Sequence, residues 1–125
     1  MNKKVALIAR ILLGLVFLVF GLNGFFQVIP MPLPSEAGSM FMGALLDTGY
    51  FFVFLKLVEI SCGIMLLSGF YVPLALLILS PIVVNILLFH IFLDMGGLVM
   101  AVILFMLTLI VAKAYESSFV EVLKR

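Results

Sequence analysis

Residues 60–93 read ISCGIMLLSGFYVPLALLILSPIVVNILLFHIFL, 34 consecutive positions without a formal charge. A helix needs about 20 apolar residues to cross a bilayer, so this run is too long for one span. Gly69-Phe70-Tyr71-Val72-Pro73 is the one credible turn inside it, and Pro73 suits a first helical turn, where its missing N–H costs nothing. The run is therefore expected to fold back on itself as two antiparallel membrane helices.

The rest of the chain agrees with that reading. Of its 125 residues 66% are hydrophobic and only 10% charged, and the mean hydropathy is +1.46. A small soluble domain runs nearer 45–50% apolar and about 25% charged, and at this size no water-soluble fold hides so much apolar surface. The longest hydrophilic stretch is a few residues, which leaves no extramembrane catalytic domain. A net charge of +1 gives no case for nucleic acid. Cys62 is the one cysteine, so the chain has neither an intrachain disulfide nor a Cys-x-x-Cys redox pair. Met1-Asn2-Lys3-Lys4 before an apolar run imitates a signal peptide, but the run is too long and residues 23–26 offer no small-x-small cleavage site. It reads as a retained first span.

The expected fold is an all-α, four-helix membrane bundle in a single domain. Its spans fall at about residues 5–28, 50–69, 73–93 and 98–114, with a tail over 115–125. In span one, Gly14, Gly21 and Gly24 lie near one stripe, which lets another helix approach closely. Pro30, Pro32 and Pro34 cannot continue a helix. Ser35 then caps a short helix over 36–47, with Met40, Phe41, Ala44 and Leu45 on one side. That helix is too short to span and is expected at the interface. Pro81 should kink span three and free a carbonyl one turn earlier. Phe119, Val120 and Leu123 give the tail an apolar face for the membrane surface.

Lysine and arginine flank the two ends (Lys3, Lys4 and Arg10; Lys113, Lys124 and Arg125), whereas 29–49 and 94–97 hold only acids. By the positive-inside rule both termini are cytoplasmic and the proline loop faces outward.

The spans nevertheless contain Arg10, Asn23, Lys56, Glu59, Asn85 and His90. A charge at mid-span costs about 2.5–3.5 kcal/mol on insertion scales, so these positions need a reason. At a rise of about 1.5 Å per residue, Lys56 sits roughly 9 Å and Glu59 roughly 13 Å below the outer boundary, His90 roughly 5 Å and Asn85 roughly 12 Å. With Asn23 they share the outer half of the bilayer, which suggests a polar pocket opening outward. Lys56 and Glu59, three apart, share a helix face and read either as a self-neutralising pair or as the pocket floor. Arg10 either snorkels to headgroups or reaches toward Glu59. Asn85 either satisfies backbone loosened by Pro81 or bonds Glu59. His90 and Asp94, four apart, can fix an imidazole tautomer; two ligands are too few for a metal site. The phenylalanines at 51, 52, 54, 89 and 92, with Met40 and Met42, read first as core or lipid-facing and second as a flat ligand site. There is no Ser-His-Asp set, phosphate-cradling loop or dinucleotide fingerprint.

These same residues carry a family resemblance. Arg10-Ile11-Leu12-Leu13-Gly14-Leu15-Val16-Phe17 and Phe20-Gly21-Leu22-Asn23 resemble the opening of DoxX-family membrane proteins. Thr48-Gly49-Tyr50, Lys56-Leu57-Val58-Glu59-Ile60, Gly63 and Gly69 continue the likeness. Pro81-Ile82-Val83-Val84-Asn85-Ile86 and Phe89-His90-Ile91-Phe92-Leu93 are similar to the third helix of the DoxX-like branch. The resemblance implies a compact four-helix bundle of the bacterial cytoplasmic membrane. It also implies association with membrane redox or oxidative-stress systems, the family name coming from a subunit associated with a terminal quinol oxidase. Its polar positions map onto Arg10, Asn23, Lys56, Glu59, Asn85 and His90. The lone Cys62 departs from relatives that use cysteine pairs.

The leading expectation is an accessory membrane subunit whose pocket binds a small amphipathic ligand, a quinone or lipid-like molecule. Lys56 and His90 would bond its oxygens while Glu59 and Arg10 brace the floor. A second is a scaffold or assembly factor, its polar cluster purely structural and a membrane or periplasmic partner meeting the 29–49 loop. A third is a proton- or ion-coupled transporter, disfavoured because the polar residues do not continue inward and no inverted repeat is visible.

Overall fold

The computed structural model describes residues 2–125. Six α-helices follow in order: α1 (Lys3–Phe26), α2 (Glu36–Asp47), α3 (Phe51–Ser68), α4 (Val72–Phe92), α5 (Leu98–Ala114) and α6 (Glu116–Val122), with a single 3-10 turn at Met95–Gly97. Four stretches are long and apolar enough to cross a membrane: α1, α3, α4, and the turn with α5. This is an all-helical four-helix membrane bundle. α3 packs on α1 and α4, and α5 packs on α4 and α1, so the four long helices form a closed antiparallel square. α2 lies at one end of the square, and both termini lie at the other.

Local chemistry places each boundary. The Asn2 side chain caps α1 by accepting from the Lys4 N–H at 2.8 Å. α1 stops at Phe26, two residues short of expectation, because Gln27 turns left-handed (φ 52) and donates its N–H back to the Asn23 carbonyl. Ser35 caps α2 as expected, accepting from the Gly38 N–H at 3.1 Å. Gly69 ends α3 in a left-handed conformation (φ 80), which glycine adopts without the Cβ penalty. Pro73 falls in the first turn of α4.

Pro81 leaves α4 unbroken from Val72 to Phe92. A proline lacks the N–H that would bond the carbonyl four residues back, here Leu77. The Ser80 hydroxyl donates to that same carbonyl at 3.0 Å. Repair therefore comes from the serine beside the proline rather than from Asn85.

The inner face of α2 also differs from expectation. Gly38 is buried and Phe41, Met42 and Leu45 are half-buried, while Met40 and Ala44 are exposed. The helix is turned so that Gly38 fits beneath the Phe89 ring. At the other end Tyr115 and Phe119 pack against the core, so α6 is anchored by Phe119 while Val120 and Leu123 stay exposed.

The core runs down the square: Leu13 and Phe17 of α1, Cys62 and Leu66 of α3, Leu79 and Val83 of α4, Val111 of α5. Residues of the same kind and size, such as Leu12, Leu15, Val19, Leu57 and Ile103, face outward. Lipid is as apolar as leucine, so close packing, not removal of apolar surface from water, decides which residues face a neighbour.

Candidate functional site

The tightest helix contact carries the one buried ion pair among the described residues. Along the α1–α3 seam a Cβ built on Gly63 would stand 2.7 Å from the Leu18 backbone nitrogen and 3.0 Å from the Gly14 carbonyl oxygen. Two turns along, a Cβ on Gly21 would meet Ile60, and one on Gly24 would meet the Lys56 stem at 2.8 Å. The glycine stripe of α1 is thus a trough for α3, and Lys56 and Glu59 are laid into it. Lys56 Nζ stands 3.1 Å from Glu59 Oε2, and 5.3 Å from the centroid of the Phe52 ring. Glu59 is 6% exposed. A cation over an aromatic face and a carboxylate beside it both lower the cost of holding that ammonium out of water.

The other polar residues do not gather around this pair. Asn23 clamps the turn after α1: its amide donates to the Ile29 carbonyl at 3.0 Å, and its oxygen accepts from the Ile29 N–H at 2.8 Å. Asn85 is exposed. It lies two residues beyond buried Val83, about 200° around the helix, and so on the side of α4 opposite the core. Of its two expected alternatives, neither the backbone repair nor a bond to Glu59 is among the hydrogen bonds of the described residues. Arg10 is not beside Glu59 either. Its guanidinium lies over Gly69, ten residues and about 15 Å farther along α3.

His90 sits in a separate knot at the α2 end. Its Nδ1 lies 3.0 Å from the Asp94 carbonyl oxygen, an acceptor, so Nδ1 carries a proton and donates it there. The ring stands edge-on to Phe89 (centroids 5.1 Å apart) and packs against Gly97. Asp94 Oδ1 accepts from the Ser35 N–H at 3.4 Å, and the Ser35 hydroxyl donates to the Leu93 carbonyl. Phe41 meets Phe89 at 5.6 Å. The expected His90–Asp94 pairing is present, through the backbone oxygen, and it ties the start of α2 to the end of α4. Ser35, Phe41 and Gly97 belong to this knot and were not legible as such. The Gly97 role leaves no sequence signal beyond two adjacent glycines in a turn.

Two cavities open on the sides of the bundle, and both are apolar. One, about 220 Å³, lies between α3 and α4 along Phe54, Ser61, Cys62 and Ile78. The other, about 270 Å³, lies between α4 and α5 along Ser80, Val84, Phe105, Thr108 and Phe119. Neither is lined by Lys56, Glu59, Asn85 or His90, so the polar residues do not converge on either. Ser61, Ser80 and Thr108 donate their hydroxyls to backbone carbonyls of their own helices, which satisfies them without a ligand. Phe52 is taken up by Lys56 and Phe89 by Phe41 and His90, so these rings do not form one flat box.

A family model described as DoxX matches residues 5–92, which takes in α1 to α4 and the glycine trough. No curated protein and no solved structure gives a significant match.

Proposed function

The chain belongs to the DoxX family, and from that premise we propose that it is a non-catalytic accessory subunit of a membrane redox assembly. In this reading the intramembrane polar groups hold the bundle together and its sides are offered to lipid and to a neighbouring membrane or periplasmic protein. The observation that carries it is the seating of Lys56 and Glu59. The two charges neutralise each other in a trough cut to their shape by Gly21 and Gly24. Asn23 and His90 close in the same way, each on a backbone partner. The redox association rests on the family resemblance. The setting is the bacterial cytoplasmic membrane, with both termini cytoplasmic, as the basic flanks favour.

The full chain, tagged and extracted from its own membranes in mild detergent, should comigrate on a native gel with a quinol-oxidising or dehydrogenase activity. Removing the chain should lower the yield of that assembly without abolishing its chemistry. Quinol turnover by the purified chain alone would overturn the reading.

A second reading has the Lys56–Glu59 pair bind the headgroup of a quinone or lipid-like molecule. What favours it is Glu59 Oε1, which has no protein hydrogen bond and yet is not sealed from the surface. Titration with a short-chain quinone should then raise the unfolding temperature, and Glu59→Gln and Lys56→Gln should reduce the rise. An equal rise in both variants refutes it.

A further inference from the structure

Arg10 is the one intramembrane charge that the fold does not answer. It faces α3 on the same stripe as Gly14, one turn nearer the N-terminus. Its Nε is buried and has no hydrogen-bond partner among the described residues. No acid stands within salt-bridge distance of it. Its two terminal nitrogens have no protein hydrogen bond either, but they are not sealed. The guanidinium lies beside Gly69, where a Cβ would strike Nη1. An arginine presents five N–H donors in a fixed fork and stays ionised, so an unanswered fork at a bundle end calls for an acceptor from outside the chain.

The surrounding charge identifies that acceptor as an anion. Six of the seven basic residues stand at the termini end, against two acids, Glu116 and Glu121. Both acids are already engaged, Glu116 by Lys113 at 2.7 Å and Glu121 by Lys124 at 2.9 Å. Phe70 and Tyr71, exposed beside Gly69, are side chains that sit well at a membrane–water boundary. A guanidinium fork matches two oxygens of a phosphate.

We propose that Arg10, laid over Gly69 at the α3–α4 turn, is a binding site for a phosphate anion, filled in the bilayer by the headgroup of an anionic phospholipid. Gly69 is glycine for two reasons: its left-handed φ of 80 and the room it leaves for the guanidinium. The bound phosphate closes the gap at the α1–α3–α4 corner and joins the α3–α4 turn to α1.

The test uses the full chain in detergent, with thermal unfolding followed as phosphatidylglycerol, phosphatidylcholine or inorganic phosphate is added. Phosphatidylglycerol should stabilise the wild type more than phosphatidylcholine does. Arg10→Gln should lose that preference. Arg10→Lys, which keeps the charge and the insertion of α1, should weaken phosphatidylglycerol binding roughly tenfold, as expected when charge-assisted bonds are lost. The double variant Lys3→Gln/Lys4→Gln should keep the preference. The proposal fails if Arg10→Lys binds as the wild type does, or if the Lys3/Lys4 variant loses as much as Arg10→Gln. An equal response to inorganic phosphate overturns the lipid assignment.

Discussion

Alanine at Gly63 puts one methyl group into the closest approach between α1 and α3. In an open helix that change is favourable by about 0.5–1 kcal/mol, because glycine has more backbone freedom to lose. At Gly63 the new Cβ would stand 2.7 Å from Leu18 N, 3.0 Å from Gly14 O and 3.1 Å from Leu18 Cα, against an ordinary contact of 3.4–4 Å. All three are backbone atoms, so no rotamer can relieve the clash and the helices must part by about 0.7 Å or more. Overpacking of this kind costs about 1–3 kcal/mol. The net expectation is a loss of up to about 2.5 kcal/mol, the methyl clash opposing the helix preference. Gly43 in α2 supplies the control, since a Cβ there meets nothing within 4 Å. Gly43→Ala should be neutral or stabilising. Both variants can be unfolded by raising the SDS fraction of mixed micelles, read by near-ultraviolet circular dichroism and by modification of Cys62, which is 1% exposed in the fold. If Gly63→Ala and Gly43→Ala shift the midpoint alike, the trough does not hold the bundle and the reasoning fails.

Three further outcomes follow from the same contacts. Lys56→Met leaves Glu59 buried without its cation and should destabilise by about 3–5 kcal/mol, whereas Lys56→Met/Glu59→Met should recover most of the loss; a double variant no better than the single one contradicts this. Ser80→Ala should cost about 1 kcal/mol by orphaning the Leu77 carbonyl, and the cost should vanish beside Pro81→Ala, which restores an N–H donor; an unchanged cost rejects the repair role. Asn23→Ala removes both bonds to Ile29, so hydrogen exchange at the Ile29 amide should speed up while the α3–α4 turn keeps its protection.

The polar residues share a depth in the bundle but not a direction. Depth along a helix follows from counting at about 1.5 Å per residue, and by depth Asn23, Lys56, Glu59, Asn85 and His90 do share one half of the bundle. Convergence also requires direction. Asn85 lies about 200° from Val83, and no property of α4 alone says which side meets α3, because the helix is apolar nearly all round. In water an apolar stripe would mark the inner face; in lipid it does not.

Span number, turns, caps and the stripe of small residues were therefore fixed by local chemistry: run length against hydrocarbon thickness, Ser35 and Gly69 at helix ends, Gly14, Gly21 and Gly24 at helical spacing. Partners outside a polar group's own helix came only with the packed square. Lys56 met Glu59 as its spacing required, because that bond lies within one helix. Ser80 likewise took the carbonyl freed by Pro81 inside α4, whereas Arg10 went to Gly69 instead of Glu59, and His90 joined Asp94 and Gly97. Contacts between helices depend on rotation and register, which a uniformly apolar sequence leaves degenerate until close packing at glycine selects one arrangement.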